Sequence, residues 1–545
     1  MQRLADVTQS RVAGGDIAEP TPVATPEAAA RNGASIMPTI DGALRATARR
    51  VPDAEALSFD GNDYTYEEFD EAVERVACAL AGLGVAKGDR VALMSTNSDR
   101  FVLAFYATHR LGAIFVPINP SSAPPEIEYL LSDSGAIVFL FDPALRAAVD
   151  ATISIGLPES CRRVVALGTS GDHLDLFALA ADGGSSRPDV DVSEDDDALI
   201  LYTSGTTGKP KGALFDHHRS MWVGVNVIAT CGMRVGDRFL HVAPLFHAAE
   251  LCIMLMPGTM IGAKHVILSG FDPTVVADTM ESERITMFFG VPTMFQFLLK
   301  VPGLAERDLS AWRTGLFGAA PMPASAVEAL VSTLPHVDFM QLCGQTEGGP
   351  GGIYSDAAQV RARPDASGRQ ALPFTECRVV DTSGNDVEPG GTGELLLRGE
   401  TIMKGYWNRP EATAETIVDG WLHTGDLARL DADGYMTLVD RIKDMIITGG
   451  HNVYSVEVEN ALAAHPDIAD CAIVAKPHAE YGESIVAVVT PVEGATITLD
   501  EIKEFCRARV SHYKVPHDLI IRSIPRNPSG KIMKHVIRAE MDPSA

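Results

Sequence analysis

Residues 201–212 read LYTSGTTGKPKG, and this stretch limits the folds open to the chain. It sets Thr203, Ser204, Gly205, Thr206, Thr207 and Gly208 ahead of Lys209, Lys211 and Gly212. Bare glycine backbone can turn its N–H groups onto an anion, hydroxyls add donors, and lysine adds charge, so the stretch suits a polyphosphate. The Walker arrangement has four residues between its glycines, a Ser or Thr after its lysine, and a helix beyond. Here only Thr206 and Thr207 separate Gly205 from Gly208, and Pro210 follows Lys209. A residue before proline is pushed out of helical geometry. Apolar runs at 199–202 and 212–215 flank the stretch. The pattern predicts a strand, a phosphate-gripping loop and a return strand. A plain surface turn is the competing reading of the loop taken alone.

A chain of 545 residues is too long for one core, so several domains are expected. From about residue 40, helical and strand patterns alternate. Thr65 and Glu68 form a capping box ahead of Phe69, Val73, Val76, Ala77, Leu80 and Leu83 at helical spacing, and Gly84 suits the stop. Strands are expected at 91–94 and 113–118 around a helix at 100–111, and the same rhythm returns between 266 and 339. This is an α/β pattern of mixed sheets with flanking helices. Residues 183–197 read as a polar surface loop leading into the phosphate strand. After Gly390 the texture changes to short strands at 393–398 and 435–440. A small α+β domain is expected beyond, with a helix at 456–464, strands at 471–475 and 485–490, and Ile502, Phe505, Cys506 and Val510 on one helix face. The expected organisation is a disordered lead-in at 1–35, a large domain at 36–442 and a small mobile domain at 443–545.

The 45 basic against 72 acidic residues give a net charge of −27, which disfavours a nucleic-acid partner. An anionic ligand then needs a local cationic site, which puts weight on each lysine of the loop. The eight cysteines form no CxxC pair, so neither a zinc cluster nor a disulfide framework is expected. No signal-peptide core stands in the first 35 residues, and the apolar run 251–261 is interrupted by Pro257 and Gly258 and too short to span a bilayer. A cytoplasmic enzyme without a transmembrane segment is expected, and a homodimer stays open.

Further segments follow in order: PLFH at 244–247, GAAP at 318–321, GQTEG at 344–348, GWLHTGD at 420–426, DRIKD at 440–444, GGHNVY at 449–454 and PRNPSGK at 525–531. Together with the loop they resemble the AMP-forming acyl-CoA synthetases of the acyl-adenylate-forming superfamily, over residues from about 40 to 540. The style is that of the fatty-acyl and the 4-coumarate or feruloyl ligases. The resemblance implies that a carboxylic acid is activated with ATP to an acyl-adenylate and passed to coenzyme A, releasing pyrophosphate and AMP.

It also implies roles. The loop Thr203–Gly208 with Lys209 would hold the β- and γ-phosphates, Thr346 would donate to the α-phosphate, and Glu347 would ligate Mg²⁺. Asp426 would accept from the ribose hydroxyls with Arg441 behind it, and Gly318, Ala319 and Ala320 would wall the adenine alongside Cys343, Gly344 and Gln345. Lys531 would bridge the attacking carboxylate and the α-phosphate, and His247 would border the acyl and coenzyme A channels. Lys443 would be the hinge, and Gly449, Gly450 and His451 would pass the pantetheine. Residues 288–294 and the methionine-rich run 252–260 suggest an apolar acyl pocket. Two alternatives share the residues: an enzyme loading a carrier protein's phosphopantetheine, and a catalytically silent nucleotide-binding regulator. The sequence reads without a carrier segment, which tilts towards free coenzyme A, and Lys531, Glu347 and Asp426 argue against silence.

Two positions depart from the family pattern. Cys343 stands where a stacking tyrosine is usual, and Glu250 stands three residues after His247, where a small residue is common. A carboxylate in an acyl pocket is costly unless paired, so Glu250 is expected either to meet a polar substrate end or to face solvent.

Overall fold

The apolar run before the loop forms the strand Asp197–Thr203, and the run after it returns antiparallel as Lys211–Asp216. The computed structural model describes residues 38–184, 186–203, 209–478, 480–526 and 532–541. The expected lead-in at 1–35, the loop residues Ser204–Gly208 and Lys531 therefore lie outside the described residues. Among the described residues, this strand pair belongs to a sheet of eight, ordered Gly405–Tyr406, Lys211–Asp216, Asp197–Thr203, Ile114–Ile118, Arg90–Met94, Val138–Phe141, Arg163–Ala166 and Leu174–Asp175. The inner strands run parallel and are buried on both faces, so they read as unbroken apolar runs such as Val138-Phe139-Leu140-Phe141.

A second sheet, of nine described strands, contains Asp338–Gly344, Thr314–Gly318, Met287–Gly290, Arg238–His241 and Lys264–Ile267 as parallel neighbours. The helices Tyr66–Gly82 and Asp99–Arg110 tie the two sheets together. Their Phe69, Phe101, Phe105 and Tyr106 enter one core that also holds Phe115 of the first sheet and Phe239 of the second. The first of these helices starts where its capping box predicts: Thr65 Oγ1 accepts from the Glu68 N–H at 3.2 Å, and the Glu68 carboxylate accepts from the Thr65 N–H at 2.8 Å.

Arg110, at the end of the second helix, is a charge sunk in this core. Its side chain is 2% exposed and donates to Asp41 at 2.8 and 3.0 Å, to the Asp70 carbonyl at 2.9 Å, and to the carboxylates of Asp70 and Glu74. Removing one partner of such a pair strands the other. Arg110→Met is expected to lower the unfolding free energy by about 3–5 kcal/mol, read by denaturant titration. A loss below about 1 kcal/mol, the value typical of surface pairs, would show that the pair is effectively solvated.

The apolar run 251–261 corrects an expectation. Pro257 does not interrupt it: a π-helix at Glu250–Leu255 runs directly into the helix Met256–Ile261. The wider turn lets the Met256 N–H donate five residues back, to the Leu251 carbonyl, and carries the helix past the ring that lacks a donor.

Beyond these sheets a five-stranded antiparallel sheet is built on Thr375–Val380, Thr392–Gly399 and Trp421–Leu430, with Met436–Arg441 paired to the last. The small C-terminal domain follows. Its strands Ile446–Thr448, His451–Val453, Ile468–His478, Gly482–Pro491 and Asp518–Ile521 form one sheet, against which the helices Ser455–Ala463 and Leu499–Arg507 pack. Ile502, Phe505 and Cys506 share the expected helix face, whereas Val510 lies past the helix end and reaches the same core from the following turn.

Candidate active site

The strand Asp197–Thr203 delivers Thr203 to a carboxylate from far along the chain. Thr203 Oγ1 donates to Glu347 Oε1 at 2.9 Å, and the Tyr406 hydroxyl donates to the same oxygen at 3.0 Å. Glu347 is buried on the short 3₁₀ turn Thr346–Gly348, directly after the strand Asp338–Gly344 of the other large sheet. The Met403 N–H donates to the Glu347 carbonyl and Thr401 Oγ1 donates to the Gly348 carbonyl, which fixes the turn. The start of the phosphate loop and the GQTEG segment thus meet, with the half-buried Thr346 beside them. Lys209 is exposed, its Nζ 5.0 Å from the Tyr129 ring centroid, and Lys211 Nζ lies 5.0 Å from that of Tyr406.

Mg²⁺ commonly uses one or two carboxylates and takes its other ligands from substrate phosphates and water. Among the described residues no cluster of three or more His, Cys, Asp or Glu could hold a metal. A single buried carboxylate next to the loop fits an ion that arrives with a nucleotide, and Glu347 is that carboxylate.

Asp426 and Arg441 are direct partners across neighbouring antiparallel strands, and Arg441 Nε lies 2.6 Å from Asp426 Oδ1. Cys343 is close by on Asp338–Gly344. Burial, with the Asp426 charge adding to it, pushes its thiol up to about 12, so it stays protonated and is no nucleophile. Gly318 ends the strand Thr314–Gly318, Ala319 follows at a left-handed φ of 66°, and Ala320 is half-buried. The bareness of Gly318 has a packing cause that the sequence hides: a Cβ there would stand 2.1 Å from the Leu342 carbonyl oxygen. Gly344 is held the same way by the Gly351 carbonyl, at 2.1 Å, and Gln345 beside it is half-buried.

His247 lines a narrow pocket with Ala249, Glu250, Phe289, Val291 and Ala319. Its Nδ1 accepts from the Ala249 N–H at 3.4 Å. Phe289 and Val291 come from the predicted 288–294 segment. The methionine-rich run does not behave as expected: Met254 and Met256 are buried in the main core. Glu250 does not face solvent; it is fully buried.

In the small domain, Gly449 and Gly450 make the two-residue turn between Ile446–Thr448 and His451–Val453, with φ of 55° and 78°. Such tight hairpins need positive φ at both positions, which glycine supplies without strain. His451 stacks on Tyr513 with centroids 4.6 Å apart. Lys443 is exposed in the turn that follows Arg441.

Sequence reasoning passed over Tyr406, Tyr129 and Asp133. Gly405–Tyr406 is a two-residue edge strand that docks on Lys211–Asp216, and the Trp407 N–H donates to the Gly212 carbonyl just past it. Asp133 accepts from the Tyr202 hydroxyl at 2.8 Å and pairs with Arg409, while Trp407 Nε1 donates to its carbonyl. The adjacent aromatics Tyr406-Trp407 were the available signal, with no periodic pattern around them.

Known proteins agree with this assembly. A family model described as "AMP-binding enzyme" matches residues 44–407, and one described as "AMP-binding enzyme C-terminal domain" matches 457–531. The chain is 40% identical over 493 residues to a feruloyl-CoA synthase of an Amycolatopsis species, covering 90% of this chain and 96% of that one. It is 34% identical over 510 residues to a long-chain-fatty-acid–CoA ligase of Mycobacterium tuberculosis, covering 92% and 99%. The solved structure of ATP-bound MatB from Rhodopseudomonas palustris superposes with a TM-score of 0.83 at 30% identity, covering 93% of this chain and all of that one (100%). The chain belongs to the AMP-binding enzyme family, as one of its acyl-CoA ligases.

Proposed function

We propose that this ligase activates an aryl-propenoic acid in the pocket beside His247 and completes the reaction by moving its small domain. ATP, with Mg²⁺, and coenzyme A are the other reactants. In the first step a carboxylate oxygen attacks the α-phosphorus and pyrophosphate leaves. In the second, the coenzyme A sulfur attacks the acyl carbon, its proton is lost and AMP leaves. Both reactants of the first step are anions, so it needs cations and donors placed where charge develops. Thr203 and its loop with Lys209 grip the pyrophosphate half, and Thr346 donates to the α-phosphate. Glu347 would hold Mg²⁺, which would offset phosphate charge, and Lys531 would bridge the carboxylate and the α-phosphate. Asp426, positioned by Arg441, takes the ribose, and Gly318, Ala319, Ala320, Cys343, Gly344 and Gln345 border the base. Lys443 is the hinge between a large domain ending at 442 and a small domain starting at 443, and Gly449, Gly450 and His451 pass the pantetheine.

The observation that carries this reading is the junction of Thr203 and Tyr406 on Glu347, which brings the loop to the acidic turn across 144 residues. The feruloyl-CoA synthase relative favours an aryl-propenoic acid over a fatty one. All eight cysteines are free thiols, which suits the reducing cytoplasm, and light scattering distinguishes monomer from homodimer. AMP release measured across aryl-propenoic and fatty acids, with and without coenzyme A, tests the activity. Release that requires the acid and yields a thioester only with coenzyme A is expected, and silence with every acid overturns the reading.

Cys343 offers little stacking area to a base. Cys343→Tyr is expected to improve ATP binding by about 0.5–1.5 kcal/mol, or about two- to tenfold in Kd, as measured by calorimetry. An unchanged or weaker Kd would place the base away from this strand.

A further inference from the structure

The pocket beside His247 has one polar group in its wall that the reaction does not use. Glu250 is fully buried, and its Oε2 has no hydrogen-bond partner. Its Oε1 lies 2.6 Å from His241 Nδ1. From there a buried ladder runs inward: His241 Nε2 to His265 Nδ1 at 2.9 Å, His265 Nε2 to Thr259 Oγ1 at 3.1 Å, and Thr259 Oγ1 to the Leu255 carbonyl at 3.0 Å. The Tyr106 hydroxyl also donates to Thr259 Oγ1, at 2.8 Å.

The ladder has one consistent direction when the Thr259 hydroxyl donates to the Leu255 carbonyl, which can only accept: Thr259 Oγ1 then accepts from His265 Nε2–H. His265 Nδ1 then accepts from His241 Nε2–H, which leaves His241 Nδ1 as an acceptor. The group that must donate to it is the Glu250 carboxyl, protonated on Oε1. Every member is then neutral, which avoids an unpaired charge at a fully buried site. Burial acts in the same sense, pushing Glu250 well up and holding His241 down at about 3. Glu250 lines the pocket and its Oε2 is left as a buried carbonyl acceptor without a partner, and an unsatisfied buried acceptor calls for a donor.

We propose that Glu250 is a specificity-determining residue whose Oε2 accepts a hydrogen bond from a ring hydroxyl of the bound aryl-propenoic acid. This rests on the function proposed above and narrows it, from aryl-propenoic acids in general to those carrying a hydroxyl. A site built to take a hydroxyl rejects the analogue that lacks it, because its own polar group is then left unpaired. A methyl ether keeps the oxygen but cannot donate and adds a methyl group, so it is rejected as well.

The experiment measures kcat/KM for AMP release with cinnamic acid, its three ring-hydroxylated isomers and their methyl ethers. The wild-type enzyme is expected to favour at least one hydroxylated isomer over both cinnamic acid and the matching ether by about tenfold or more. Glu250→Gln is expected to keep that preference within about threefold, since its amide can donate to His241 Nδ1 and leave its carbonyl oxygen facing the pocket. Glu250→Met is expected to bring the ratio near one by losing the hydroxylated acid while still turning over cinnamic acid, which also reports that the variant is folded. Equal wild-type turnover of cinnamic acid and all three hydroxylated isomers overturns the proposal while leaving the ligase reading intact. So does loss of the preference in Glu250→Gln. Absence of AMP release with every one of these acids overturns the aryl-propenoic reading instead.

Discussion

Lys531→Ala is expected to cut adenylate formation by a hundred- to a thousandfold, about the cost of losing one essential donor to developing charge, and to leave thioester formation from supplied acyl-adenylate within about threefold. The two half-reactions ask different things of the site. In the first, a carboxylate must approach a triphosphate, and an ammonium between them offsets repulsion that peaks as the new bond forms. In the second, a neutral thiol attacks an adenylate that is already activated, and no such bridge is needed. Lys531 lies outside the described residues. Arg526 and Ile532 on either side of it in sequence pair in an isolated bridge, and the Arg526 guanidinium lies 2.7 Å from Asp470 of the small domain's sheet. Both of these neighbours stand on the small domain, whereas Thr203, Glu347 and Asp426 stand on the large one. Isotope exchange between pyrophosphate and ATP reads the first half-reaction, and thioester yield from synthetic adenylate reads the second. Equal loss in both would remove the role assigned to Lys531.

What could be read from the sequence follows the span of each interaction. The strand pair on either side of the phosphate-type loop and the capping box at Thr65 and Glu68 are local, so a few adjacent residues specify each. Asp426 and Arg441 were also legible, since both sit in short motifs and the fold only has to set two neighbouring strands side by side. Tyr406 was not: it reaches Glu347 from a strand of two residues, too short to leave a period. The Glu250 ladder was still harder to see. His241, His265 and Thr259 sit in apolar runs like ordinary core residues, and Tyr106 joins from a helix 153 residues from Thr259. The glycine at 318 carries a constraint that the sequence hides: the carbonyl of Leu342 on the neighbouring strand leaves no room for a side chain there.

Lys443→Pro is expected to slow one half-reaction by tenfold or more while the other stays within about threefold. The Arg441 carbonyl accepts from the N–H groups of Asp444 at 2.9 Å and Met445 at 3.0 Å, so residues 441–444 form a turn with Lys443 in third place. Proline is disfavoured there, because it drives the preceding residue out of helical geometry, and it locks its own φ near −65°. The turn also marks a mechanical boundary. On its near side Asp426 and Arg441 are joined by sheet pairing and an ion pair. On its far side Asp444 is held to Arg538 at 2.5 Å, within the small domain. One contact that bridges the two is made by Asp440, whose carboxylate accepts from the Ser455 N–H at the start of the helix Ser455–Ala463, a helix with no side-chain cap of its own. A rotation about residue 443 breaks that cap and leaves the Asp426–Arg441 pair untouched, and a φ that cannot change traps the enzyme on one side of the rotation. Lys443→Ala separates backbone from charge: it keeps φ free and is expected to leave both half-reactions within about threefold. If the alanine and proline variants behave alike, the charge of Lys443 and not its backbone is what matters. If the proline variant runs both halves at the wild-type rate, residue 443 is a linker and the domains turn elsewhere.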